Sequence, residues 1–233
     1  MRPWTRRRGP GTAVAVIAML ALGAMAGLGV SADSPKVQPS DPLGGMTQTQ
    51  VDAVVAAAHA RNDQFLASFV ASKQDPHKLP VVEVQDYAGP AASTRSGALA
   101  LSDVVVQGTV VSVLFARNPS GGMPIATATL TVDAVVRGQA KSSITVEQLG
   151  GPVAQDVGGA LAEDADDPLI LPGDKVLLLL RQSPATGLYK PLLGVGVMFI
   201  QPDGTVVAED ANPFGSEITG RSLDQVLAML RPA

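Results

Sequence analysis

Asp103-Val104-Val105-Val106-Gln107-Gly108-Thr109-Val110-Val111-Ser112-Val113-Leu114-Phe115-Ala116-Arg117 is the stretch on which the fold turns. Val104, Val106 and Val110 share one face at two-residue spacing, against Gln107 and Thr109. Beyond Val110 the apolar set becomes Val111, Val113 and Phe115, against Ser112. The phase therefore slips by one residue between Val110 and Val111. A slip inside one continuous strand is what a β-bulge produces, and Gly108 nearby permits sharp coiling. A long bulged strand able to serve both halves of a closed sheet is a device of small barrels.

The strands that follow fit that device. Asn118-Pro119-Ser120-Gly121-Gly122 makes a turn. Ala126, Ala128, Leu130, Val132 and Ala134 then alternate with Thr127, Thr129, Thr131 and Asp133. One buried and one wet face is the pattern of an antiparallel sheet. Arg137-Gly138-Gln139 turns into a third strand, where Ile144 and Val146 alternate with Thr145 and Glu147. A Gly-rich, acidic segment, Gly150 to Pro172, is read as a long connection. Lys175 to Arg181 carries five consecutive apolar residues, which suits a strand covered on both sides. Further strands are expected at Leu188 to Leu193, Gly196 to Ile200 and Thr205 to Glu209, the last two joined at Pro202-Asp203-Gly204. A three-strand meander, a long excursion and two closing strands make an OB-like antiparallel β-barrel.

Helices flank the barrel. Thr47 and Gln50 have capping-box spacing, as do Ser222 and Gln225. Val51, Val54, Val55, Ala58, Phe65 and Phe69 recur near helical spacing, and the helix is expected to stop by Ser72 or Lys73, before Asp75-Pro76. Leu223, Val226, Leu227 and Leu230 form the stripe of a short C-terminal helix. The chain thus divides into a signal segment 1–32, a tether 33–45, a helix 46–73, a mostly irregular linker 74–98 with a short strand, a barrel 99–213 and a C-terminal helix 214–233. The fold class is mainly β, with an amphipathic helix before the barrel.

Three segments, Asp103 to Val113, Thr129 to Gly138 and Pro172 to Leu180, resemble the netrin-like module shared with the tissue inhibitors of metalloproteinases. That resemblance covers about half the chain and implies an OB-like barrel. Arg137 stands where the family often has Lys. The disulfide cysteines of the animal modules are missing, as is the N-terminal cysteine through which the inhibitors reach a catalytic metal. The resemblance therefore implies a fold and not the inhibitory mechanism.

Residues 1–32 read as an address. Arg2, Arg6, Arg7 and Arg8 precede an uncharged apolar stretch from Ala13 to Val30. Ala24-Met25-Ala26 and Val30-Ser31-Ala32 are small-residue exits of the secretory kind. The competing reading is an uncleaved anchor, since the stretch is close to the ~18 residues a spanning helix needs. Residues 33–45 are turn formers and polar residues, a flexible tether. An extracytoplasmic protein is expected, secreted after cleavage or held in the cytoplasmic membrane and facing outward. Any membrane contact would be made through residues 13–30.

Composition narrows the chemistry. The chain has 233 residues, 17 basic and 21 acidic, for a net charge of -4. Loss of residues 1–32 leaves 201 residues and 13 basic side chains, lowering the charge to -8. That balance disfavours nucleic acid as a partner. The absence of cysteine from the sequence excludes disulfides, a thiol nucleophile and thiolate metal sites. The sequence carries no Gly-x-Ser-x-Gly elbow, Ser-x-x-Lys pair, His-Glu-x-x-His or phosphate loop. The only Trp, Trp4, lies in the signal, which leaves Tyr87 and Tyr189 as a poor sugar platform.

Asp156, Glu163, Asp164, Asp166 and Asp167 are the candidate site. Oxygen-rich flexible loops hold calcium, although this cluster lacks the spacing of an EF-hand; its plain alternative is a solvated acidic excursion. His59 and Asp63 have surface-pair spacing, and His77 is expected to be an ordinary exposed loop residue. No cofactor other than calcium is expected. The leading functional reading is a non-enzymatic binding module whose partner is a protein or cell-envelope component. Alternatives are an extracytoplasmic enzyme or ligand carrier using the barrel mouth and acidic segment, and a membrane-anchored structural surface protein.

Overall fold

The computed structural model describes residues 47–84, 90–156, 158–164, 166–209 and 212–231. The signal, the tether, the cleavage question and Tyr87 lie outside the described residues. Among the described residues no helix is long and apolar enough to cross a membrane.

Helix α1 (Gln48–Ala71) starts at the expected capping box: Thr47 accepts from the Gln50 backbone, and the Gln50 side chain reaches back. It buries Val51, Ala58, Leu66 and Phe69. After a 3-10 turn (Pro76–Lys78) comes strand β1 (Val81–Val84). Helix α2 (Arg95–Leu101) begins inside the segment read as mostly irregular, with Thr94 as its cap. Gly97 in its middle had hidden it, because glycine weakens a helix pattern.

Strands β2 (Val104–Ala116), β3 (Ile125–Arg137) and β4 (Ser143–Ala154) form the meander. Strand β5 (Gly159–Asp164) precedes β6 (Lys175–Gln182), β7 (Tyr189–Pro191), β8 (Val197–Ile200) and β9 (Val206–Ala208). Helices α3 (Gly215–Ile218) and α4 (Leu223–Leu230) end the chain, and α4 carries the second expected capping box.

Five strands close on themselves in the order β2, β3, β4, β7, β6 and back to β2. All neighbours are antiparallel except β4 and β7, which meet in parallel at Val146 and Tyr189. This is a small closed barrel, OB-like at the level of the fold. Strand β2 makes closure possible. It pairs with β3 along nearly its whole length and with β6 over Val104 to Thr109. Its register against β3 shifts between Val110 and Ser112, which leaves Val111 as the extra residue of a bulge. Val111 was expected in the inward apolar set. It is 53% exposed, because the bulge residue has no partner position.

Gly108 sits where the strand coils. A Cβ there would lie 2.5 Å from the Thr131 carbonyl oxygen, so only glycine permits this approach of β2 to β3. The run Val176 to Leu180 is wholly buried. Val176, Leu178 and Leu180 fill the barrel with Val104, Val106 and Leu130. Leu177 and Leu179 face the other way, into a layer with Phe214, Ile218, Val226 and Leu230 from the C-terminal helices. One strand thus serves two cores, and burying each such leucine stabilises by roughly 1.5–3 kcal/mol.

The segment from Gly150 to Pro172 differs most from expectation. Strand β4 runs on to Ala154 and is met by β5, which in turn carries β1. Gly150 and Gly151 have φ of +137° and +146°, a region open to glycine, and this lets the strand bend without ending. At Gly151 the missing side chain makes room for Phe115 and Pro124. Helix α1 packs across this extension: Phe65 lies over Gly159, and the rings of Phe69 and Phe115 meet edge-on at 6.3 Å.

Candidate functional site

The acidic segment returns from β5 as a stopper in the barrel mouth. The inward row of β4 runs Ile144, Val146, Gln148, so its last position is polar yet only 4% exposed. Gln148 Nε2 donates to Asp167 Oδ1 at 3.1 Å and to the Pro168 carbonyl at 2.9 Å. Gln148 Oε1 accepts from the Ile170 amide at 3.1 Å. One side chain therefore holds the stopper at three points. Ile170 joins the barrel core, while Leu169 and Leu171 pack with Leu79, Ala126 and Leu161.

The five candidate carboxylates divide. Glu163 is buried, and its Oε2 accepts from the Leu169 amide at 3.0 Å. Asp164 is buried, and its Oδ1 accepts from the Asp166 amide at 2.9 Å. The Asp164 carbonyl accepts from the Asp167 amide at 3.2 Å, which closes a turn. The Asp166 carbonyl accepts from the Gly194 amide at 2.9 Å. Asp156 stands apart: it is exposed and lies 3.5 Å from Arg61 of α1. Glu163, Asp164, Asp166 and Asp167 are thus part of a folded turn rather than a solvated loop. Among the described residues, no three His, Asp or Glu side chains are grouped so as to hold a metal ion.

Asp167 has unusual electrostatics. Burial pushes its carboxyl from 3.8 up to about 7. The Gln148 hydrogen bond pulls it down, and the charges of Asp164 and Glu163 push it up again. A carboxyl that titrates near neutrality is a common feature of functional sites, and also of structural ion networks.

Both histidines are placed. His77 is exposed, and its Nε2 donates to the Pro172 carbonyl at 3.0 Å, tying the linker to the end of the acidic segment. His59 lies against Gly121 of the β2–β3 turn. Asp63, expected to pair with His59, lies instead 3.2 Å from Arg117 Nε. These residues and Asn62 line a shallow open hollow between α1 and that turn.

A second surface was not anticipated. On the outer face of the meander, Ala116, Ile125 and Leu149 lie side by side in register. The next row is Leu114, Thr127 and Glu147. Leu114 is 69% exposed and Leu149 47%. Neighbouring apolar side chains left on an ordered sheet face are a feature of interaction surfaces. Leu114 offers no warning in the sequence, because it sits between Val113 and Phe115 in an unbroken apolar run. Gln148 does: it is a glutamine where alternation calls for an apolar side chain.

No protein-family model matches the chain, and no curated protein is detectably similar to it.

Proposed function

We propose that this chain is an exported, non-enzymatic binding module of the cell envelope. On this reading it engages a protein partner through the outer face of β2, β3 and β4. The observation that carries the reading is the adjacency of Leu114, Ala116, Ile125 and Leu149 on that face. Burying two exposed leucines at an interface supplies a few kcal/mol, enough to anchor a moderate-affinity contact. Thr127, Thr129 and Thr145 beside them supply the hydroxyls of a polar rim. Export rests on the arginine-led apolar segment at the N-terminus.

The double variant Leu114→Glu/Leu149→Glu tests this reading. It is expected to keep the wild-type unfolding midpoint and to lose co-sedimentation with envelope fractions. Unchanged co-sedimentation of the folded variant would refute the face as the binding surface. Mass spectrometry of the native protein tests export separately: an N-terminus at Gly27 or Asp33 means cleavage, and an intact Met1 means anchoring.

A further inference from the structure

We propose that the Asp164–Asp167 turn is a pH-operated latch, closed in mild acid, that ties the barrel stopper to the loop around Gly194. The turn has two kinds of anchor. Leu169, Ile170 and Leu171 are apolar, almost wholly buried and indifferent to pH. Asp164 to Asp167 is held by polar contacts alone: the Asp167 amide on the Asp164 carbonyl, the Asp166 amide on Asp164 Oδ1, and Asp167 Oδ1 on Gln148. Through the Asp166 carbonyl it holds the Gly194 amide. Gly194 itself packs on Pro90, and the Leu193 carbonyl accepts from the Ala91 amide. The latch therefore joins three segments far apart in sequence.

The groups facing Asp167 account for the direction of the switch. Strand β5 contributes Glu163 and Asp164, both acidic. Strand β4 contributes Gln148, which is neutral. The loop from Leu192 to Gly196 contributes no titratable side chain. Burial and the two acidic neighbours together favour the protonated form. Once Asp167 ionises, it adds a negative charge beside two carboxyl groups. Asp167 is only partly buried, so turning toward water relieves that charge at the cost of the Gln148 contact. Gln148 keeps its bonds to Pro168 and Ile170, so the stopper stays seated while the latch lets go.

The sign follows from linkage. The closed form holds the Asp167 proton up to about pH 7, whereas an open, hydrated Asp167 loses it near 3.8. Closure is therefore favoured progressively as pH falls from 7 toward 4, and its advantage is gone above 7. Those two values imply an opening constant about 80-fold larger at pH 8 than at pH 5.

Amide hydrogen exchange by NMR, corrected for intrinsic rates, reads this directly. The Asp167 and Gly194 amides are expected to lose protection by that factor between pH 5 and pH 8. The Ile170 amide is expected to stay protected, and Asp167→Asn to abolish the pH dependence. Protection at Gly194 that is flat in the wild type, or equally pH-dependent in Asp167→Asn, would overturn the latch. Should Asp167→Asn fail to fold, the carboxyl carbon of Asp167 in the wild type decides. A midpoint near 7, tracked by the Gly194 amide shift, supports the latch, and one near 4 overturns it.

Discussion

Gln148 Nε2 reaches Asp167 Oδ1 at 3.1 Å while its Oε1 takes the Ile170 amide, also at 3.1 Å. One inward-facing side chain of the barrel wall thereby fixes both the polar turn and the apolar plug of the acidic segment. Replacing it with leucine keeps the size and removes every polar bond. Gln148→Leu leaves the Ile170 N–H without its partner in a buried setting, a loss worth about 1–3 kcal/mol per group. Denaturant unfolding is expected to show a loss of about 3 kcal/mol. A change below about 0.5 kcal/mol would place the stopper's stability elsewhere, since that is the ordinary range of surface substitutions.

Helix α1 is docked by a ring over a glycine. A Cβ at Gly159 would lie within 2 Å of where the Phe65 ring now sits. Gly159→Ala must therefore displace the ring, at a cost of typically 1–3 kcal/mol for overpacking. Adding Phe65→Ala removes the clash. The double variant is expected to be more stable than the sum of the single losses by at least about 1 kcal/mol, the coupling expected of residues in contact. Strict additivity in thermal unfolding would show that the helix does not rest there.

Much of this architecture is legible in the sequence, for identifiable reasons. The bulge shows at Val110 and Val111 because alternation is strict enough on both sides for a one-residue slip to be visible. Both capping boxes show because Thr47/Gln50 and Ser222/Gln225 are local chemistry. Strand β5 does not show, because Gly150 and Gly151 read as loop formers, and only the packing of Phe115 and Pro124 reveals that they bend a strand. The candidate carboxylates were found by composition, but their role depends on Gln148, fifteen residues before the nearest of them. Leu114 stays hidden, because an apolar run does not say which face is covered.

Calcium is the ligand the acidic composition suggests. The ion needs six to eight oxygens at about 2.3–2.6 Å. Here Glu163 Oε2, Asp164 Oδ1 and Asp167 Oδ1 each already accept a hydrogen bond, and Asp156 lies beside Arg61. Millimolar calcium is expected to leave the melting temperature within about 1 °C of its value in chelator, because a ligand that does not bind the native state adds no stability. A rise of several degrees with measurable binding heat would restore the segment as a calcium site.

The two sides of the barrel wall are expected to respond oppositely to the same truncation. Leu178→Ala empties a fully buried position and is expected to cost about 3–5 kcal/mol. Leu114→Ala removes an exposed side chain and is expected to change stability by less than about 0.5 kcal/mol. Equal losses in chemical denaturation would mean that Leu114 is covered in the folded protein.

Site-specific photocrosslinking in intact cells tests the central claim most directly, with the photoreactive residue placed at Leu114. The account predicts one discrete protein adduct from position 114, absent when the probe is moved to Lys141 and lost when Leu149→Glu is added. Adducts of equal yield from both positions, or none from position 114 in the folded, exported protein, would contradict it.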